Sequence, residues 1–227
     1  EVAYDTTTDA ARGQDPRGHR GGEVASKLAV ETVRDVITRT ITESGSRTPN
    51  ARSLLTVAYE QASAKIYDTS LEPESDLQGM GTTLVAAYAI GEHLFIANVG
   101  DSRAYLFTHD ELWLLTEDHS LVNEQLRAGL IQETDLAKFA AKNVITRSVG
   151  FERDVQVDVI ERQIQDGEMI LMCSDGLSGL VEDTRIAEIC RTSEPSEIVS
   201  ICVEEAKKNG GDDNVTVMLL YAKPRPK

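Results

Sequence analysis

The chain has 227 residues, 41% of them hydrophobic and 27% charged, with a formal net charge of -15 at pH 7. That length suits one medium domain burying roughly 70% of its unfolded surface, so neither a disulfide framework nor a structural metal is required to hold it. The acidic balance argues against a nucleic-acid or anionic-membrane surface, both of which reward clustered Lys and Arg, and no apolar run reaches the ~18 residues of a membrane span. The three cysteines, Cys173, Cys190 and Cys202, lie in apolar segments and suit reduced thiols. With no signal peptide at its start, the chain is expected to be soluble, cytoplasmic and monomeric.

Glu1 to Tyr4 reads as a short strand, followed by the polar loop Asp5 to Arg17 and by Gly18-His19-Arg20-Gly21-Gly22. Val24, Leu28, Val33, Val36, Ile37 and Ile41 recur at three- and four-residue steps, which predicts an amphipathic helix over Glu23 to Thr42. A second helix is predicted over Arg52 to Ile66, after a break containing Gly45 and Pro49. Thr82 to Ile90 and His93 to Val99 are β-branched and aromatic runs separated by Gly91-Glu92, the signature of a hairpin. The second of these strands ends in Gly100-Asp101-Ser102-Arg103, where a turn leaves Asp101 at the sheet's end. Glu111 to Leu115 reads as a further strand, and Asp118-His119-Ser120 as a turn that fixes the start of a short helix at Val122 to Ala128. Gly129 to Lys142, charged and without a strong period, reads as a mobile surface flap.

Val155, Val157 and Val159 alternate with polar residues, predicting a half-buried strand from Val155 to Ile164. Glu168 to Cys173 reads as a buried strand stopped by Ser174-Asp175-Gly176-Leu177. Helices at Thr184 to Arg191 and Glu197 to Asn209 precede a last strand, Asn214 to Tyr221. Residues 1–222 thus form one domain, and 223–227, with two prolines, begin a linker. The four histidines, His19, His93, His109 and His119, are too scattered for a zinc site, and structural or surface roles are expected of them.

Asp101, Asp175 and Asp213 each stand at a strand end beside a glycine or asparagine. Three carboxylates at one edge of a layered sheet can converge on a hard cation such as Mg²⁺ or Mn²⁺; each taken singly is equally an ordinary turn residue. Six ordered blocks carry a resemblance. They are Gly79-Met80-Gly81-Thr82-Thr83, Val99-Gly100-Asp101-Ser102-Arg103, Leu115-Thr116-Glu117-Asp118-His119-Ser120, Thr146-Arg147-Ser148-Val149-Gly150, Cys173-Ser174-Asp175-Gly176-Leu177 and Asp213-Asn214-Val215-Thr216. Together they resemble the signature set of the type 2C, metal-dependent protein serine/threonine phosphatases of bacteria, over about Gly18 to Tyr221.

The resemblance implies an α+β fold, a four-layer αββα sandwich of two antiparallel sheets flanked by helices, and this agrees with the order of elements. It implies that Asp175 and Asp213 hold paired catalytic Mn²⁺ or Mg²⁺ ions, that Asp101 with Asp175 holds a third, and that Gly129 to Lys142 is the flap beside the site. It also implies phosphorylated protein substrates made by a cognate Ser/Thr kinase. The N-terminus departs from the pattern. The family opens with an Arg followed by Asn-Glu-Asp and then Asp-Gly-Met-Gly-Gly before the first helix, and neither acidic motif is kept here. Thr8-Asp9 and Arg12 resemble the beginning of the first, which makes Arg12 the candidate phosphate-binding guanidinium. Aligned on His19, Gln14 stands at the metal-bridging aspartate, which makes the neighbouring carboxylate, Asp15, the candidate replacement metal ligand. The alternative reading is a pseudophosphatase, the same scaffold serving as a binding or regulatory module.

Overall fold

The computed structural model describes residues 2–5, 16–45, 49–72, 76–132, 144–211 and 213–223. The chain is organised around the hairpin of β2 (Leu84–Ile90) and β3 (His93–Val99), in which Ile90 pairs with His93 across the two-residue turn. Gly91 takes φ +59° there, a conformation that costs a glycine nothing. β1 (Val2–Asp5) adds antiparallel to β2, and β6 (Asp158–Gln163) to β3, giving a four-stranded sheet in the order β1-β2-β3-β6. The second sheet runs β5 (Glu111–Leu114), β4 (Arg103–Thr108), β7 (Met169–Cys173), β8 (Val217–Tyr221), also antiparallel throughout.

Alternation along the strands explains the layering. Val85, Ala87, Leu94 and Ile96 of the first sheet meet Ala104, Leu106, Ile170 and Met172 of the second, and form the core between the sheets. Residues of opposite parity, Leu84, Ala86, Tyr88, Ala97 and Val99, face α1 (Pro16–Ser44) and α2 (Ala51–Ser70). On the other side, Tyr105, Phe107, Leu171 and Cys173 pack under α4 (Asp175–Ser178), α5 (Asp183–Thr192) and α6 (Pro195–Lys208). Four layers, αββα, result, as expected. All three cysteines are buried free thiols; burial pushes Cys190 up to about 12 and Cys202 up to about 11.

Several boundaries differ from the sequence reading, each for a packing reason. The first two helices extend to Pro16–Ser44 and Ala51–Ser70, the second with buried residues from Ala51 to Ser70. β6 begins at Asp158, because Val155 and Val157 pack against the helical layer without pairing to β3. β4, which begins directly after the Gly100–Ser102 crossing, was not predicted because both of its faces are buried, which erases a period of two. α3 (Leu121–Arg127) starts on Ser120, whose Oγ accepts the Asn123 N–H at 3.4 Å, as the Asp118-His119-Ser120 turn predicted. Of the flap, Gly129 to Gln132 are described and the rest lies outside the described residues, as do 224–227 of the linker. Among the described residues no helix is long and apolar enough to cross a membrane.

Candidate metal centre

Gly100 to Ser102 carries the chain from β3 in one sheet to β4 in the other, so these residues lie at the mouth between the layers. Gly100 has φ +108°, and a Cβ there would come within 2.3 Å of the Thr83 side chain, so only glycine lets this crossing pass so near the start of β2. Thr83 Oγ1 and Ser102 Oγ share a buried hydrogen bond of 3.0 Å that fastens the crossing to the first sheet. Asp101 is thereby held at the mouth with its Oδ1 buried and without a hydrogen-bond partner among the described residues. Burial first, then the neighbouring charges of Asp175 and Asp118, push its carboxyl up to about 7.

Asp175 opens α4 directly after β7, beside Arg103 at the start of β4, because Cys173 pairs with Arg103. Ser174 Oγ donates to the Asn214 carbonyl at 3.1 Å and accepts the Thr216 N–H at 3.0 Å, while its own N–H donates to the Thr216 carbonyl at 3.1 Å. Those three bonds lay the segment before β8 against α4. A Cβ on Gly176 would meet the Asn214 oxygen at 2.2 Å, so the approach needs glycine. Asp213 immediately precedes the clamped residues, is half-buried, and accepts the Asn214 N–H at Oδ1, 2.8 Å. Thus Asp101 and Asp175 interact directly through their charges, and Asp213 arrives on the segment bound to Asp175's own turn. Among the described residues, no three His, Cys, Asp or Glu side chains close into a complete cation-binding group.

The other acid near Asp101 is already balanced. Asp118 receives Arg103 Nε at 2.9 Å and Nη2 at 2.6 Å, a bidentate fork, and Arg103 Nη1 continues to Tyr105 Oη at 3.1 Å. Tyr105 in turn donates to Asp183 Oδ1 at 2.9 Å, where α5 begins. Burial opposes the charge of Arg103, but the Asp118 hydrogen bonds outweigh it and hold the guanidinium above its ordinary value. His119, 5% exposed, is bonded to the crossing at Gly100. Burial holds its imidazole below the usual value, aided by the Arg147 charge and opposed by its bond to Asp158. Partial burial raises Asp158, but the bond from His119 and the charge of Arg147 leave it below the ordinary carboxylate range.

Arg12, Gln14 and Asp15 lie outside the described residues. Sequence reasoning passed over a different residue, Asp5. It ends β1 and pairs with Val85, which pairs with Asn98 two residues before Gly100, so its backbone lies at the same edge of the first sheet. The signal was present: a strand stopping on an aspartate, the device already read at Asp101, Asp175 and Asp213. Ending the strand at Tyr4 placed Asp5 in the following loop instead.

Comparison with known proteins agrees with this fold. The family profile described as protein phosphatase 2C matches residues 17–215. The chain is 39% identical over 204 residues to the serine/threonine phosphatase stp of Listeria monocytogenes, covering 89% of this chain and 80% of that protein. Its fold is similar to that of the Mycobacterium tuberculosis serine/threonine phosphatase PstP/Ppp, with a TM-score of 0.81, 27% identity and 99% of each chain covered. It is likewise similar to the catalytic domain of PstP in complex with two manganese ions, with a TM-score of 0.77, 28% identity and 96% of each chain covered.

Proposed function

The chain belongs to the protein phosphatase 2C family, and from that membership we propose how its own residues serve a metal-dependent attack on phosphoserine and phosphothreonine. It is a serine/threonine protein phosphatase of this type, and phosphorylated proteins are its substrates. The observation that carries the reading is Asp101: a buried carboxylate with a partnerless oxygen beside a second carboxylate is the arrangement that a hard cation relieves. When bound, Mn²⁺ or Mg²⁺ supplies Lewis acidity toward the phosphoryl oxygens and makes a water nucleophilic at neutral pH.

The chain's residues divide the remaining work. Asp101 and Asp175 would hold one cation between them. Asp175 and Asp213, on segments joined by the Ser174 bonds, would hold the catalytic pair together with Asp5, whose backbone β1 places at this edge. Arg12 is the guanidinium that orients the substrate phosphate bidentately. The Arg103 fork keeps Asp118 from competing for the ion. The substrates come from a cognate Ser/Thr kinase, and the enzyme acts as a cytoplasmic monomer. A silent binding module is not favoured, because the family assignment extends over most of the chain and the similar proteins are phosphatases.

The experiment is hydrolysis of p-nitrophenyl phosphate and of a phosphothreonine peptide with Mn²⁺, with Mg²⁺, and with chelator. Turnover with metal, loss with chelator and loss in Asp175→Asn are expected, since the amide keeps the shape but removes the charge that holds the cation. Turnover that survives both chelator and Asp175→Asn would overturn the assignment.

A further inference from the structure

One buried residue grips both backbone polar groups of the residue just before Asp101. The His119 backbone N–H donates to the Gly100 carbonyl at 2.9 Å, and its side-chain Nδ1 accepts the Gly100 N–H at 3.0 Å. Because Nδ1 is an acceptor, the neutral ring carries its proton on Nε2, and the 3.1 Å contact with Asp158 Oδ2 is an N–H donated to a carboxylate. Arg147 has donors only, so its 3.0 Å approach to Nε2 is a contact without a hydrogen bond. Its bonds go to Asp158 Oδ1 at 3.1 Å and to the Gln156 carbonyl at 3.3 Å. Asp158 is itself paired with Asn98 in the β3–β6 ladder, so the far end of the ring is tied to the sheet that delivers Gly100.

We propose that His119 is a positioning residue for the metal edge: braced by Asp158 and Arg147, it fixes the Gly100 peptide and so the direction in which Asp101 presents its carboxylate to the cation. The role rests on the metal-dependent reading of Asp101 given above. A histidine serves both ends of this arrangement. A hydroxyl or amide could satisfy the Gly100 N–H, but a rigid ring held at its second nitrogen has one orientation, and partners of this kind set ligand direction. Gly100 sits at φ +108° in contact with Thr83, so the crossing has one tolerated path, and a tilt of its peptide moves Asp101 directly.

Three substitutions separate this role from a contribution to folding. In His119→Asn the amide oxygen takes the place of Nδ1 and keeps the Gly100 bond. In His119→Gln the longer amide reaches the place of Nε2 and keeps only Asp158. His119→Ala keeps neither side-chain bond, and the backbone bond to the Gly100 carbonyl stays in all three. The first readout is hydrogen exchange of the Gly100 amide by ¹⁵N NMR in metal-free protein. The second is Mn²⁺ affinity, from electron paramagnetic resonance of the free ion. Protection of Gly100 should persist in the wild type and His119→Asn and be lost in His119→Gln and His119→Ala. Mn²⁺ affinity should stay within about threefold of wild type in His119→Asn and fall by about tenfold or more in the other two, the scale typical of lost ligand-orienting partners. A general loss of fold would move the Asn and Gln variants alike. Equal Gly100 exchange in all four proteins, or an Asn variant as weak for Mn²⁺ as the Ala variant, would overturn the proposal. Wild-type protein that binds Mn²⁺ and follows the expected order without hydrolysing phosphoesters would overturn the phosphatase reading and support this one.

Discussion

Replacing Asp101 by Asn should stabilise the metal-free protein while weakening its response to metal. The folded protein holds the Asp101 proton up to about 7, whereas the unfolded chain releases it near 3.8. More protons are therefore bound in the folded state between those values, so this group's contribution to stability declines as pH rises from 3.8 to about 7. Above that window the ionised carboxylate costs at most about 4 kcal/mol, at about 1.4 kcal/mol for each tenfold change in proton affinity. Asn removes the charge but brings an NH₂ that needs partners, so a gain of about 2 to 4 kcal/mol is expected at pH 8 in chelator. At pH 5, where the wild type is protonated when folded, the gain should fall below half. With Mn²⁺ in excess the order should invert, because the wild type is stabilised by ligand binding to its folded form and the variant much less. Urea denaturation at pH 8 and pH 5, with chelator and with Mn²⁺, measures all four conditions. A variant less stable than wild type in chelator at pH 8, or one that Mn²⁺ stabilises as much as wild type, would refute the reasoning.

Asp5→Asn should lower Mn²⁺-dependent turnover by at least about a hundredfold, whereas Asp15→Ala should leave it within about threefold; the reverse order would return the bridging role to Asp15. Gly176→Ala should destabilise the fold by about 2 to 4 kcal/mol, because the new methyl meets the Asn214 backbone at 2.2 Å; an unchanged urea midpoint would refute the close approach. Since His119 holds its proton less tightly when folded than the ordinary 6.5, its contribution is complete above that value and is lost as pH falls below it. The stability difference between wild type and His119→Asn in chelator should therefore shrink from pH 7 to pH 5, and a difference independent of pH would sink that assignment.

The sequence by itself determined the elements whose signals are local. The β2–β3 hairpin follows from two β-branched runs around Gly91-Glu92, and the helices from apolar spacing, because turn chemistry and periodicity act over a few residues. The six ordered motifs carried the family and the layered fold, and Asp101, Asp175 and Asp213 were legible as strand-end carboxylates. What joins those carboxylates was not legible. Asp101 and Asp175 are far apart in sequence and feel each other's charge only because β4 pairs with β7 and the Gly100–Ser102 crossing links the two sheets. β4 itself was hidden because burial on both faces leaves no alternation to read. Asp5 was passed over because motif spacing followed His19, whereas the register of β1 on β2 decides which residue's backbone lies at the edge. His119 read as part of a turn, and its hold on Gly100 exists only once the loop after β5 folds back over the end of β3. Pairing, register and burial are long-range properties of the packed layers, and it is they that bring Asp101 within reach of the charge of Asp175.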